Sequence, residues 1–200
     1  MLPGNAAERW CDGMSSGNVT RMTQQRDEQG RTEPPLGAGE WETLTGFLSF
    51  FRQTIAWKTD GLSDEQLRTW LEPSTMTLGG LLKHLALVER DWFGHTLAGE
   101  ELGEPWESAD LADLDWEWTS ALEDTGEEIR ALWQDAVARS EALAIAAYEK
   151  GGLEAEAVNQ PASGGTLHLR WIMVHLIEEY GRHCGHADLI RESIDGLVGE

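Results

Sequence analysis

One segment near the end of the chain carries histidines and a glutamate at helical spacing. In LHLRWIMVHLIEEYGRHCGHADLIRE, side chains three and four residues apart share one helix face. This face begins at Ile172, ends at Ile190 and holds four polar or ionisable side chains in between: His175, Glu179, His183 and His186. Because an unpaired buried polar group costs about 1 to 3 kcal/mol, these side chains need partners. A divalent metal ion is one such partner, since a glutamate followed four residues later by a histidine presents a carboxylate and an imidazole to one ion.

A second segment offers a third ligand. His84 lies among the apolar positions Leu81 and Leu85 rather than on the charged side of its helix, which holds Lys83, Glu89 and Arg90. Taken alone, a histidine on an apolar face is more often a hydrogen-bonded core residue than a ligand. Together with Glu179 and His183 it completes a set of two histidines and one carboxylate. Periodicity alone leaves both this metal site and ordinary exposed Glu/His helix pairs open.

The other titratable groups of this segment have several interpretations. His175 and His186 lie about one turn before and after the Glu/His pair, where each is a candidate fourth ligand, orienting group or general base. Hydrogen-bonded helix histidines are the alternative for both. Cys184 is rotated about 100° from His183 on the helix, which favours a packing residue over a reactive thiol.

Long amphipathic helices must position these residues. We predict four: Trp41 to about Thr59, a cap at Thr75 or Thr77 to Gly99, Ile129 to about Gly151, and a cap at Thr166 to about Ile194. A short helix is capped by Ser63, with Gln66 completing a capping box. With no convincing strand, the chain is predicted to be all-α. The long connections favour a four-helix bundle with at least one crossover.

The start of the chain differs from the rest. Residues 1–38 show no hydrophobic period, and their TEPPLGAGE run, which continues to residue 40, has the prolines and glycines of a linker. We predict a flexible N-terminal extension over residues 1–38 and one bundle over residues 39–197, a length that suits a single core. Met22 offers a second start, so residues 1–21 are a candidate upstream extension of the reading frame. A mass spectrum beginning at Met1 would remove that hypothesis.

Charge and composition restrict the partners. The net charge of -21 opposes binding to nucleic acid or to an anionic membrane surface. No apolar run approaches the roughly 20 residues of a membrane helix, and no secretory signal is recognised. Cys11 and Cys184 are expected to be free thiols of a reducing compartment, so we predict a cytoplasmic location. The acidic residues between Arg90 and Arg130, Glu117 among them, are interpreted as a solvated connection rather than a cation-binding patch.

Several segments together resemble a known superfamily. LGGLLKHLALVERDWF and EEYGRHCGHADLIRE, with EPPL, GFLSFFR and STMTLGGLLKHL, are similar to DinB/YfiT-like proteins, in the branch of mini-circle proteins of unknown function. The resemblance covers about Arg31 to Gly196. It implies a four-helix bundle with up-down-down-up topology and a metal held by three ligands. Many members use three histidines. Here the resemblance implies His84, Glu179 and His183, the variant found in the metal domain of mycothiol-dependent maleylpyruvate isomerase.

The resemblance also implies a chemistry. Two histidines and a carboxylate suit Zn²⁺ best and leave Ni²⁺, Fe²⁺ and Mn²⁺ open, while three ligands leave a position for a reactant. The expected activity is that of a thiol S-transferase or isomerase, in which the metal holds the thiolate of a low-molecular-weight thiol, mycothiol, for attack on a small-molecule substrate. His175 or His186 would then manage protons.

Three alternatives remain. They are a metal-dependent hydrolase that activates water, a non-catalytic metal- or ligand-binding stress-response protein, and a structural protein with a satisfied polar core. The resemblance also leaves a homodimer open.

Overall fold

The described part of the chain is helical. A computed structural model of the protein describes residues 25–109, 113 and 115–199, so the candidate upstream extension and Cys11 lie outside the described residues. Six α-helices are present in this part: α1 Glu40–Thr59, α2 Asp64–Leu67, α3 Leu78–Glu89, α4 Trp116–Ser120, α5 Gly126–Gly151 and α6 Leu169–Asp195. The helix of α3 continues with π-helical geometry over Arg90–Leu97. The same part holds only isolated β-bridges, which confirms the predicted all-α class. None of its helices combines the length and apolar character needed to cross a membrane.

Contacts between the long helices define their directions. Two ion pairs that join α1 to α6 are Glu40 with Arg170 and Lys58 with Asp188. Because both members of each pair advance together, these two helices are parallel. The α3 and α5 neighbours are Gly79 with Ile129 and Glu89 with Ser140, which makes that pair parallel too. The α3 and α6 contacts run in opposite order, from His84 with His183 to Trp92 with Trp171. The long helices therefore have the up-down-down-up topology that the resemblance implied.

A charged network crosses the core and joins all four long helices. Arg52 of α1 donates two hydrogen bonds to the carboxylate of Glu89 in α3, at 2.8 and 2.7 Å. Tyr180 of α6 donates its hydroxyl hydrogen to Glu89 at 2.7 Å, and Trp133 of α5 donates its indole N–H to Tyr180 at 2.8 Å. The Glu89 side chain is 0% exposed. The interpretation from the sequence, that Glu89 lies on a charged outer side of α3, is therefore wrong.

Side-chain caps are present at the starts of three of the six described helices, α2, α3 and α5. Ser63 and Gln66 form the predicted capping box of α2, and the Thr77 hydroxyl accepts the N–H of Gly80 at the start of α3. The predicted cap at Thr166 is wrong, since α6 begins at Leu169 with His168 at its N-cap position. The chain just before α6 is extended, because His168 forms an isolated β-bridge with Glu156.

Arg31, which lies in the part of the predicted N-terminal extension that the structure describes, contacts α1. Arg31 donates a hydrogen bond to the Thr54 hydroxyl at 2.9 Å, and its guanidinium lies 4.5 Å from the ring centre of Phe50. These contacts give residues near Arg31 a defined place on the bundle. The division into a flexible extension over residues 1–38 and a bundle over residues 39–197 stays a prediction, and residues 1–24 lie outside the described part.

Candidate metal centre

The antiparallel contact of α3 with α6 brings the three predicted ligands together. The Nε2 atom of His84 lies 3.7 Å from Oε2 of Glu179, and Nε2 of His183 lies 3.5 Å from the same oxygen. One ligand atom from each residue lies within 4.8 Å of the other two. Ligands at about 2.0–2.1 Å from a tetrahedral zinc ion are about 3.4 Å apart. The three side chains thus converge at nearly the spacing of a metal site.

The protonation of His183 suits a metal ligand. Burial, together with the neighbouring imidazoles of His84 and His186, lowers the pKa of His183 to about 4. The ring is therefore neutral near pH 7, and a neutral imidazole offers a nitrogen lone pair to a metal. Glu179 adds a carboxylate whose other oxygen, Oε1, accepts a hydrogen bond from Arg182 at 3.1 Å. The donor set fits a divalent ion that prefers nitrogen and oxygen ligands.

Each histidine of the set has a neighbour at its second ring nitrogen. Nδ1 of His84 lies 3.1 Å from Oε1 of Glu117, and Nδ1 of His183 lies 3.3 Å from Nδ1 of His186. A hydrogen on Nδ1 leaves the Nε2 lone pair available, and such partners orient metal-binding histidines. His186 thus contacts the candidate ligand His183 directly. Its predicted catalytic role stays a prediction.

His175 occupies an aromatic cluster. Its ring centre is 4.5 Å from that of Trp92 and 4.9 Å from that of Trp171, with the second pair stacked. Its Nδ1 lies 3.7 Å from Glu178, and ligand atoms of His175, Glu178 and Glu179 form a second group within 4.8 Å of one another. His175 therefore lies one helical turn from the candidate ligand Glu179, and its proton-transfer role also stays a prediction.

The short helix α4 was missed by the sequence analysis, and it contributes to the site. Trp118 stacks on His84 with ring centres 5.4 Å apart, and Glu117 contacts the same imidazole. A Cβ atom at Gly80 would lie 2.6 Å from the Trp118 ring, so the absence of a side chain there permits the close approach of α4. A usable signal was present in the sequence, because Trp116 and Trp118 flank Glu117 within an otherwise polar segment.

Cys184 is expected to be unreactive in the folded protein. Its side chain is buried, and burial with the nearby Asp188 raises the pKa of the thiol to about 12. Near pH 8 the folded thiol is therefore almost wholly protonated, whereas an unfolded cysteine with a pKa of about 8.5 is partly thiolate. We expect iodoacetamide to alkylate Cys184 at least about 100-fold more slowly in the folded than in the urea-unfolded protein.

Peptide mass spectrometry separates Cys184 from Cys11 in that experiment. A Cys184→Ala variant is expected to keep the metal content of the parent protein. Equal alkylation rates in the folded and unfolded chains would restore the reactive-thiol interpretation.

Comparison with known families gives a match over most of the chain. A family model described as mycothiol-S-transferase matches residues 43–196. This range contains all three candidate ligands and Glu117. No curated protein matches the sequence.

Proposed function

The chain belongs to the mycothiol-S-transferase family, and from this premise we propose that it is a metal-dependent enzyme that joins the sulfur of mycothiol to an electrophilic small molecule. His84, Glu179 and His183 are the proposed ligands. The observation that carries the proposal is their convergence at the contact of α3 with α6, where two imidazole Nε2 atoms face one carboxylate oxygen. Zn²⁺ is the proposed ion, with Ni²⁺, Fe²⁺ and Mn²⁺ as alternatives to be distinguished by metal analysis.

The donor set suits thiol activation. A bound divalent ion would supply a Lewis acid that lowers the pKa of a thiol, so that the nucleophilic thiolate is present at neutral pH. Two imidazoles, each binding as a neutral ligand, and one carboxylate would contribute a single negative charge, which would leave a divalent cation only partly neutralised and attractive to a thiolate. Three protein ligands also leave a coordination position for a reactant, whereas structural zinc sites are usually closed by four.

Proton transfer is assigned to a histidine of α6. His175 and His186 are both proposed for this role, but their surroundings differ. Nδ1 of His186 is engaged by His183, so His186 also helps to orient that ligand. His175 is stacked on Trp171 and has no such contact with a proposed ligand imidazole. The pH profiles of His175→Ala and His186→Ala variants are expected to identify the proton acceptor, because only its removal eliminates a titration from the profile.

The proposed cellular location and partners follow from the chemistry. A thiol cosubstrate requires a reducing compartment, so we place the enzyme in the cytoplasm. The net charge of -21 supports small-molecule partners over nucleic acid. A homodimer remains a hypothesis, which light scattering at working concentration tests.

The experiment that tests the function is a turnover assay with defined metal and thiol. We expect the zinc-loaded protein to conjugate mycothiol to monochlorobimane, with loss of the thiol proton and release of chloride from the bimane. Activity is expected to be lost with a chelator and to return when zinc is added. Glutathione at the same concentration is the thiol control. Consumption of ester or amide substrates without thiol would favour the hydrolase alternative. Metal binding without turnover would favour a sensor, and absence of metal would leave a structural polar core.

A further inference from the structure

Glu117 contacts the candidate ligand His84 through its carboxylate. Its Oε1 lies 3.1 Å from Nδ1 of His84, and the two side chains are 17% and 19% exposed. Its other oxygen, Oε2, is buried and has no hydrogen-bond partner within the described residues. The carboxylate is thus directed at the imidazole rather than into solvent, although it belongs to the most acidic stretch of the chain.

The contact selects one tautomer of His84. A neutral imidazole carries its hydrogen on either Nδ1 or Nε2, and the other nitrogen is then an acceptor. An ionised carboxylate only accepts, so Glu117 favours the hydrogen on Nδ1. Nε2 of His84 lies 3.7 Å from Glu179, which makes Glu179 the competing acceptor for the other tautomer. In that competing tautomer Nε2 carries a hydrogen that would point toward Glu179 and His183, so this nitrogen would have no free lone pair for a metal.

The fold holds Glu117 in place from both sides. Trp118 stacks on His84, and the ring of Trp116 lies 4.8 Å from Nζ of Lys83. Lys83 also forms an ion pair with Asp124 beyond the end of α4. These contacts attach α4 to α3 at His84 and the adjacent Lys83, so the Glu117 carboxylate has a defined position relative to the imidazole.

We propose that Glu117 is a positioning residue that keeps His84 in the Nδ1–H tautomer and so directs the Nε2 lone pair toward Glu179 and His183. The inference rests on the proposed function for the identity of the bound group, but the tautomer itself is a property of the metal-free protein. A carboxylate at this position also makes the imidazole a stronger ligand, an effect whose loss typically weakens metal affinity by about 10- to 100-fold.

The test compares Glu117→Ala and Glu117→Gln with the parent protein and with Glu123→Gln. Glu123 is an exposed glutamate of the same connection and serves as the matched control. Nitrogen-15 NMR of the metal-free protein, at a pH where the imidazole is neutral, reports the His84 tautomer, and a His84→Asn spectrum assigns the signals. Zinc affinity is measured by competition with a chelator.

The expected result is an Nδ1–H tautomer in the parent and in Glu123→Gln, and a shift toward Nε2–H in Glu117→Ala. Zinc affinity falls by about 10- to 100-fold in Glu117→Ala and by less in Glu117→Gln, because the amide oxygen can still accept. An Nε2–H tautomer in the parent, or a tautomer unchanged in Glu117→Ala, overturns the inference. If Glu117→Ala fails to fold by circular dichroism, the isosteric Glu117→Gln decides, and a tautomer and zinc affinity equal to those of Glu123→Gln overturn the proposal.

The outcomes separate this inference from the proposed function. A parent protein that binds no zinc and shows no conjugation would refute the proposed function, while a Glu117-dependent tautomer would still support the positioning role. A zinc-dependent transferase whose His84 tautomer is unchanged in the Glu117 variants would support the proposed function and overturn the positioning role.

Discussion

Glu179→Ala is expected to lose stoichiometric zinc, with affinity reduced by more than about 100-fold, and to lose thiol conjugation with it. The reason is that Oε2 of Glu179 faces both candidate histidines, at 3.7 Å from Nε2 of His84 and 3.5 Å from Nε2 of His183. Changes that only disturb the orientation of a ligand cost about 10- to 100-fold, and removal of the ligand itself is expected to cost more. Plasma mass spectrometry of the purified variant measures the metal, and the bimane assay measures conjugation.

Two matched variants make this test specific. Glu178→Ala removes the neighbouring exposed carboxylate, which pairs with Arg182, and should leave the metal content unchanged. Glu179→His would produce the three-histidine set that the resemblance attributes to many relatives, so we expect it to retain metal. Full zinc occupancy in Glu179→Ala would show that this carboxylate is no ligand. Loss of zinc in Glu178→Ala would instead point to the second group, formed by His175, Glu178 and Glu179.

The second large effect is expected from the buried network. Arg52→Met should lower the free energy of unfolding by about 3 to 5 kcal/mol, because it leaves the Glu89 carboxylate buried without its cation. Burial by itself would lower the pKa of Arg52, but the Glu89 carboxylate raises it, so the guanidinium stays charged. Burial and the same carboxylate raise the pKa of Tyr180, which therefore remains a hydrogen-bond donor. Urea unfolding followed by tryptophan fluorescence measures the loss.

A double variant tests the pairing. Arg52→Met combined with Glu89→Leu should be less destabilised than the sum of the two single changes, because no uncompensated charge remains. Arg139→Met is the control, since Arg139 pairs with Glu100 at the surface and such pairs contribute about 0 to 1 kcal/mol. A loss below about 1 kcal/mol for Arg52→Met would contradict the assigned role of the ion pair.

The amino-acid sequence by itself determined the long helices and the capping box of α2. These features depend on residues within a few positions of one another, so periodicity and capping chemistry are sufficient to predict them. The same holds for Glu179 and His183, because a separation of four residues places both side chains on one face of α6. Thr166 shows the limit of such reasoning. A threonine there is a suitable cap, but pairing of His168 with Glu156 keeps the chain extended and delays the helix.

Tertiary structure alone decided the partners of the charged and polar groups. Glu89 resembles a solvated helix residue in the sequence, and its burial follows from Arg52, which lies 37 positions earlier and on another helix. Glu117 appeared to be one acid among many, and its contact with His84 spans 33 positions. A carboxylate has the same local signature whether it meets water, an arginine or an imidazole. Its role is therefore set by the packing of α1, α4 and α6 around α3, which no short-range pattern encodes.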